Sequence, residues 1–239
     1  MRNFDDMIRS SAVAALVVAG LASGCDKGGS AADQHPDDGK ELQETRGKID
    51  ALTKPLIEMH ARTPEPAKAE EKPCEGLPGG RMAIAEYEYL GRFAHPDRVP
   101  YSGSDARWKE LTTPALRVVT PSARAATQQQ AIDALWNVKK LGREYAYLGV
   151  LRASERTGPK LDGERFSGGK YSGILQVFDL EKAKPLCSAK LSATSSTEVA
   201  GSINAKDRED VLWNDFMSNV RDAVYAGAKR VAPDLNVDL

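Results

Sequence analysis

Between Glu41 and Arg62 the apolar residues Leu42, Ile49, Leu52, Leu56 and Met59 fall near heptad a and d positions, the narrow stripe of a packed helix. Gly47 weakens that helix, and Pro55 forfeits a backbone hydrogen bond, so the pattern predicts a kink or two short helices. From Arg81 to Phe93 the rhythm changes to alternation. Ala83, Ala85, Tyr87 and Tyr89 lie on one side and Met82, Ile84, Glu86 and Glu88 on the other, which predicts a first strand. Thr120 followed by Pro121 has the form of a helix start, with Ile132, Leu135, Trp136 and Val138 recurring at helical spacing and Gly142 as terminator. Tyr145–Leu151 and Tyr171–Leu180 are aromatic and β-branched runs of strand length. Leu186 to Ala193 alternates, with Cys187, Ala189, Leu191 and Ala193 inward, and the short EKAKP connection makes a hairpin with the preceding strand. A last helix is predicted from about Lys206 to Val231, capped by Asn204 or Asp207. Its buried face is Leu212, Phe216, Val220, Val224 and Val231, with Lys229 and Arg230 near the dipole's negative end.

This succession predicts an α+β fold: a mainly antiparallel sheet of about four to five strands, two long helices on one face, and an N-terminal helical arm. Pro, Gly and charge dominate Thr63–Gly80, which has the composition of a linker with Cys74 as its one fixed point. Pro96, Pro100 and the SGSD run mark a loop, and Ala106–Leu111 has the pattern of a helical turn that docks Trp108.

The N-terminal region differs from all of this. Counted from Met7, one basic residue, Arg9, precedes an apolar run from Ala12 to Leu21, half the roughly twenty residues that a bilayer span needs. The run ends on Leu21, Ala22, Ser23, Gly24 and Cys25, and this stretch resembles the signal peptide and lipobox of a bacterial lipoprotein. Ala22 stands where the usual pattern has Leu, and Asp5 and Asp6 suit the leader poorly, which points to translation from Met7. The resemblance implies cleavage before Cys25 and acylation of that residue by two or more chains, enough for stable anchoring. It also implies an address: the bacterial cell envelope, facing the periplasm, with inner and outer membrane both open. Asp26 after the acylated cysteine resembles an inner-membrane retention signal, a rule that varies between bacteria. The expected organisation is then residues 1–24 as signal peptide, 25–40 as flexible tether, 41–62 as helical arm, 63–79 as linker and 80–239 as the α+β domain. Asp26–Lys40 lacks any large apolar residue that could order it.

Composition narrows the partners. Lys and Arg number 33 against 34 Asp and Glu, and the cations are interspersed with acids, so no basic stripe for nucleic acid is present. With Cys25 acylated, Cys74 and Cys187 remain in an oxidising compartment, and an even pair there predicts a disulfide.

Candidate chemistry is sparse. Arg152–Tyr171 is a long, Gly-rich stretch between two strands, where binding residues concentrate. Its spacing defeats a P-loop, because Glu164 stands where the first Gly belongs and Tyr171 where Ser or Thr should hold Mg²⁺. Ser167-Gly168-Gly169-Lys170 matches the S-x-x-K of serine penicillin-recognising enzymes, and Ser202-Ile203-Asn204 imitates their second element. No K-T-G accompanies them, and two glycines leading into a strand make a poor helix start. His35, His60 and His95 have no i, i+4 partner, so no metal ligand set is assigned, nor any cofactor. Glu86 and Glu88 form a carboxylate pair or, more simply, two solvated acids on an edge strand. No catalytic residue is assigned. The leading expectation is a lipid-anchored interaction or scaffold module that meets another envelope protein. The alternative is a solute-binding or ligand-sensing lipoprotein with Trp108, Tyr87 and Tyr145 and the loop residues Ser167, Lys170 and Tyr171 around a pocket. A serine envelope hydrolase using Ser167 and Lys170 is the remote third.

Overall fold

The computed structural model describes residues 36–95, 115, 127–162, 165–197 and 208–239. Helix α1 spans Pro36–Arg62 and is followed by a single 3-10 turn at Pro66–Lys68. Strand β1 (Gly80–Glu86) passes directly into α2 (Tyr87–Ala94), and α3 covers Gln128–Glu144. Then come β2 (Tyr147–Thr157), β3 (Lys160–Asp162), β4 (Arg165–Ser167), β5 (Lys170–Asp179) and β6 (Lys184–Thr194), with α4 (Arg208–Val231) and β7 (Leu235–Asp238) last.

The fold is α+β, but its five-stranded sheet is mixed, in the order β6-β5-β2-β1-β7. β1 runs parallel to both its neighbours, β2 and β7, whereas β2–β5 and β5–β6 are antiparallel. Nor do the helices share one face. On one side Ala83, Ala85, Leu148, Val150 and Phe178 pack against Leu56 and Met59 of α1, Tyr89, Leu90 and Phe93 of α2, and Leu141 of α3. On the other, Met82, Ile84, Leu175, Val177 and Ala189 meet Phe216, Val220, Val224 and Ala228 of α4. Coverage on both faces explains the unbroken buried run Met82–Ala85, since a parallel strand between two helix layers has no solvent side.

Several local expectations change with this architecture. The alternation read through Phe93 stops at Glu86, because Tyr89, Leu90 and Phe93 are spaced to bury one side of a helical turn beside Leu56 and Met59. α1 continues through Pro55 as one helix. Its Leu52 is 41 % exposed, while Ile49, Leu56 and Met59 are fully enclosed. α3 is capped by Thr127: its hydroxyl accepts from the Gln130 amide at 3.3 Å, and the Gln130 side chain accepts from the Thr127 amide at 2.9 Å, a reciprocal capping box. The start read at Thr120–Pro121 lies outside the described residues, as do Trp108, Asn204 and Asp207. α3 also runs past Gly142 to Glu144, and it buries Ala131, Ala134, Val138 and Leu141, so Trp136 points outward. The stretch read as a long loop is mostly β2 extended to Thr157 plus the two-stranded β3–β4 ribbon.

The segment read as a linker is a strap along the outer edge of β6. Lys72 and Ser188 exchange backbone hydrogen bonds at 2.9 and 3.0 Å, and the Ser188 hydroxyl donates to the Glu70 carbonyl at 2.5 Å. The Glu71 carboxylate accepts two hydrogen bonds from Arg230 at 2.9 Å each and one from the Lys190 amide at 3.1 Å. Covering an edge in this way removes a template for intermolecular pairing. Cys74 closes the strap through a disulfide with Cys187, the two Cα atoms 4.8 Å apart, as the cysteine count predicts.

Candidate functional site

At the carboxyl ends of β1 and β2, a cleft of about 120 Å³ opens between the sheet and α4. Its floor is apolar: Ile84, Leu151, Ala153, Met217, Val220 and Val224. Five elements line the cleft. Glu86, the last residue of β1, and Glu88, in the first turn of α2, stand at the rim, and β2 brings Arg156 to them just past its register shift between Ala153 and Glu155. α4 contributes Arg221 to the opposite lip, and Tyr171 at the start of β5 closes the back.

The rim therefore carries both signs. Arg156 pairs with Glu86 at 3.7 Å, and its other nitrogen approaches the Met217 sulfur at 3.8 Å. Partly exposed, that ion pair contributes little stability, no more than about 1 kcal/mol. Tyr171 is buried, and burial pushes its phenol up to about 12, with Glu88 and Glu86 adding and Arg156 opposing. At neutral pH the phenol is fully protonated, so it can donate a hydrogen bond but cannot serve as a base.

The other predicted site residues are dispersed. Tyr87 lies on a different seam, stacked on the His60 ring at 4.1 Å with the Arg152 guanidinium 4.3 Å from its centroid. Arg152 also donates to the Thr63 carbonyl at 2.9 Å, which ties β2 to the end of α1. Burial, then the charges of His95 and Arg152, hold the His60 pKa below its ordinary value. Tyr145 donates to the Asp238 carboxylate, and Arg81 lies 4.9 Å from its ring centroid and 2.9 Å from the same carboxylate. Those three residues lock β7 to the start of the sheet. Ser167 ends β4 with its hydroxyl exposed and 3.5 Å from the Lys160 carbonyl, and Lys170 is exposed at the start of β5. No helix begins at Ser167, so the turn that brings Lys onto Ser in S-x-x-K enzymes is not formed. Of Ser167, Lys170 and Tyr171, Tyr171 alone lines the cleft. Cys25 lies outside the described residues.

Among the described residues no cluster of three or more His, Cys, Asp or Glu side chains is arranged to hold a metal ion. Nor is any described helix long and apolar enough to cross a membrane. Glu86, Glu88 and, within the Arg152–Tyr171 stretch, Tyr171 were the residues of this cleft singled out in the sequence. Val220 and Val224 looked like ordinary core positions, and Met217 carried no signal.

No family model matches the chain. No curated protein matches it either. Among solved structures, the hypothetical protein CT253 from Chlamydia trachomatis is similar to 65 % of this chain over 99 % of its own length, at 13 % identity and a TM-score of 0.28. A score that low carries no functional or topological inference.

Proposed function

We propose that this chain is a lipid-anchored protein of the bacterial cell envelope that acts as an interaction module, taking one apolar side chain of a partner protein into the cleft beside α4. The cleft carries this reading. Its volume of about 120 Å³ falls well below the roughly 300–1,000 Å³ of small-molecule pockets, which disfavours a solute as the occupant of this cleft. Its apolar floor suits a single anchoring residue, and a rim bearing Glu86, Glu88, Arg156 and Arg221 suits a partner segment of mixed charge. The address rests on Leu21–Cys25 and its likeness to a lipobox, and the Cys74–Cys187 disulfide is in keeping with an oxidising compartment.

A photo-cross-linking residue placed at Ala153 tests the proposal in intact envelopes, with one at exposed Lys184 as control. A single discrete adduct from Ala153 and none from Lys184 is expected. Equal labelling from both positions, or a small molecule retained stoichiometrically in native mass spectrometry, overturns the interaction reading. Mass spectrometry of the Cys25 peptide tests the anchor separately.

A further inference from the structure

Helix α3 carries an outward stripe that no other described element packs against. Trp136 is 62 % exposed and Ile132, one turn earlier, 36 %. Lys139 and Arg143 flank them, both exposed, with the Arg143 guanidinium 6.0 Å from the Trp136 centroid. Lys140 pairs with Glu144 at 3.4 Å at the helix end, and Asp133 accepts from Gln129 at 2.8 Å. The burial pattern explains the stripe. α3 turns its alanines, Ala131 and Ala134, toward Ile49 of α1, and small residues there let the two helices approach closely. The bulky residues are left on the outside.

We infer that this stripe lies on the anionic phospholipid surface to which the chain is anchored. The inference rests on the proposed acylation of Cys25, and the position of α3 is its independent support. The Leu42–Ile49 half of α1 packs with Ala131 and Ala134, and Met59 shares a cluster with Leu141, so α1 and α3 run side by side in the same direction. The start of α3 therefore sits beside the half of α1 to which the tether leads. Cys25 lies eleven positions before Pro36, a separation of at most about 40 Å along the chain. A helix of 17 residues is about 26 Å long, so α3 is within reach of the leaflet. Trp suits the headgroup layer because its ring is apolar and its indole N–H is polar, and Lys and Arg beside it match anionic lipid. Docking by so small a patch is weak in free solution, and the tether supplies the effective concentration that makes it persist.

The test uses the acylated full chain reconstituted into phosphatidylglycerol–phosphatidylethanolamine vesicles, with and without brominated acyl chains. Subtracting the emission of Trp136→Phe from wild type isolates Trp136. At least a twofold quenching of that difference by bromolipid is expected. The double variant Lys139→Glu/Arg143→Glu, which changes only exposed positions, should abolish it, as should phosphatidylcholine vesicles. Equal Trp136 emission in plain and brominated vesicles overturns the inference, and so does lipid-independent cross-linking of Trp136 to a second copy. If the Cys25 peptide proves unacylated, the anchor proposal fails by itself. Quenching in added anionic vesicles then still decides the docking question.

Discussion

The Cys74–Cys187 bridge joins positions separated by 113 residues, and the consequence of removing it can be worked out in some detail. Constraining so long a loop in the unfolded chain stabilises the native state by up to about 4.8 kcal/mol in the chain-entropy model, and measured effects are commonly nearer 2–4 kcal/mol. In the double variant Cys74→Ala/Cys187→Ala the folded strap keeps its other ties, the Lys72–Ser188 pairing and the Glu71–Arg230 hydrogen bonds. Alanine is the appropriate replacement, since Cys187 is 1 % exposed and a serine there places a new hydroxyl in an apolar layer. The loss should therefore arise mainly in the unfolded ensemble. Urea unfolding monitored by circular dichroism is expected to show a loss of about 2–5 kcal/mol and a steeper dependence on urea, because the unbridged chain exposes more surface. At roughly 2–4 °C per kcal/mol for a chain of this size, the melting temperature should drop by about 4–20 °C. Wild type in reducing agent should behave like the variant. Curves that agree within about 0.5 kcal/mol, with equal slopes, would refute the reasoning.

Two further outcomes follow from specific contacts. A Cβ at Gly173 would come within 2.5 Å of the Arg152 carbonyl oxygen and 3.0 Å of the Ala153 Cα, both backbone atoms of the paired strand. Gly173→Ala should therefore cost about 1–3 kcal/mol in chemical denaturation, and a neutral result would show that β2 and β5 can separate freely there. His60 has a folded pKa below its ordinary 6.5, so the unfolded chain binds more protons in that window and stability rises with pH. The neutral ring's contribution is intact above about pH 6.5 and is lost as pH falls below it. Melting temperatures measured between pH 5 and 8 should show a shallower dependence in His60→Gln than in wild type, and identical profiles would remove His60 as the cause.

The parts of this fold that were legible in the sequence are those where one residue type repeats on one face. All five residues predicted for the inner face of α4, from Leu212 to Val231, are buried, and Cys187, Ala189 and Leu191 point inward from β6. On α3 Val138 is buried as read, but Ile132 and Trp136 were misread, because the largest apolar residues drew attention while close helix packing selected Ala131 and Ala134. β7 is four residues long and gains its strand character from the edge of β1, a signal no local window contains. β2 beyond Leu151 is rich in Arg, Ser and Glu and buries little, so only its pairing with β5 marks it as a strand. The cleft was least legible, since Glu86, Arg156, Tyr171 and Val220 are distant in sequence and meet only once β1, β2, β5 and α4 are assembled.

The pairing of β1 with β7 has a consequence for the order of events during biogenesis. A chain that emerges from its amino end presents residues 80–86 early, yet one of their two partner strands, residues 235–238, arrives after nearly everything else. Until then that margin of the nascent sheet has open amide and carbonyl groups with no internal mate, and contacts this distant in sequence form slowly. The interval before the last strand docks is the period in which this molecule is most vulnerable to mispairing, and the one in which a chaperone has most to offer it.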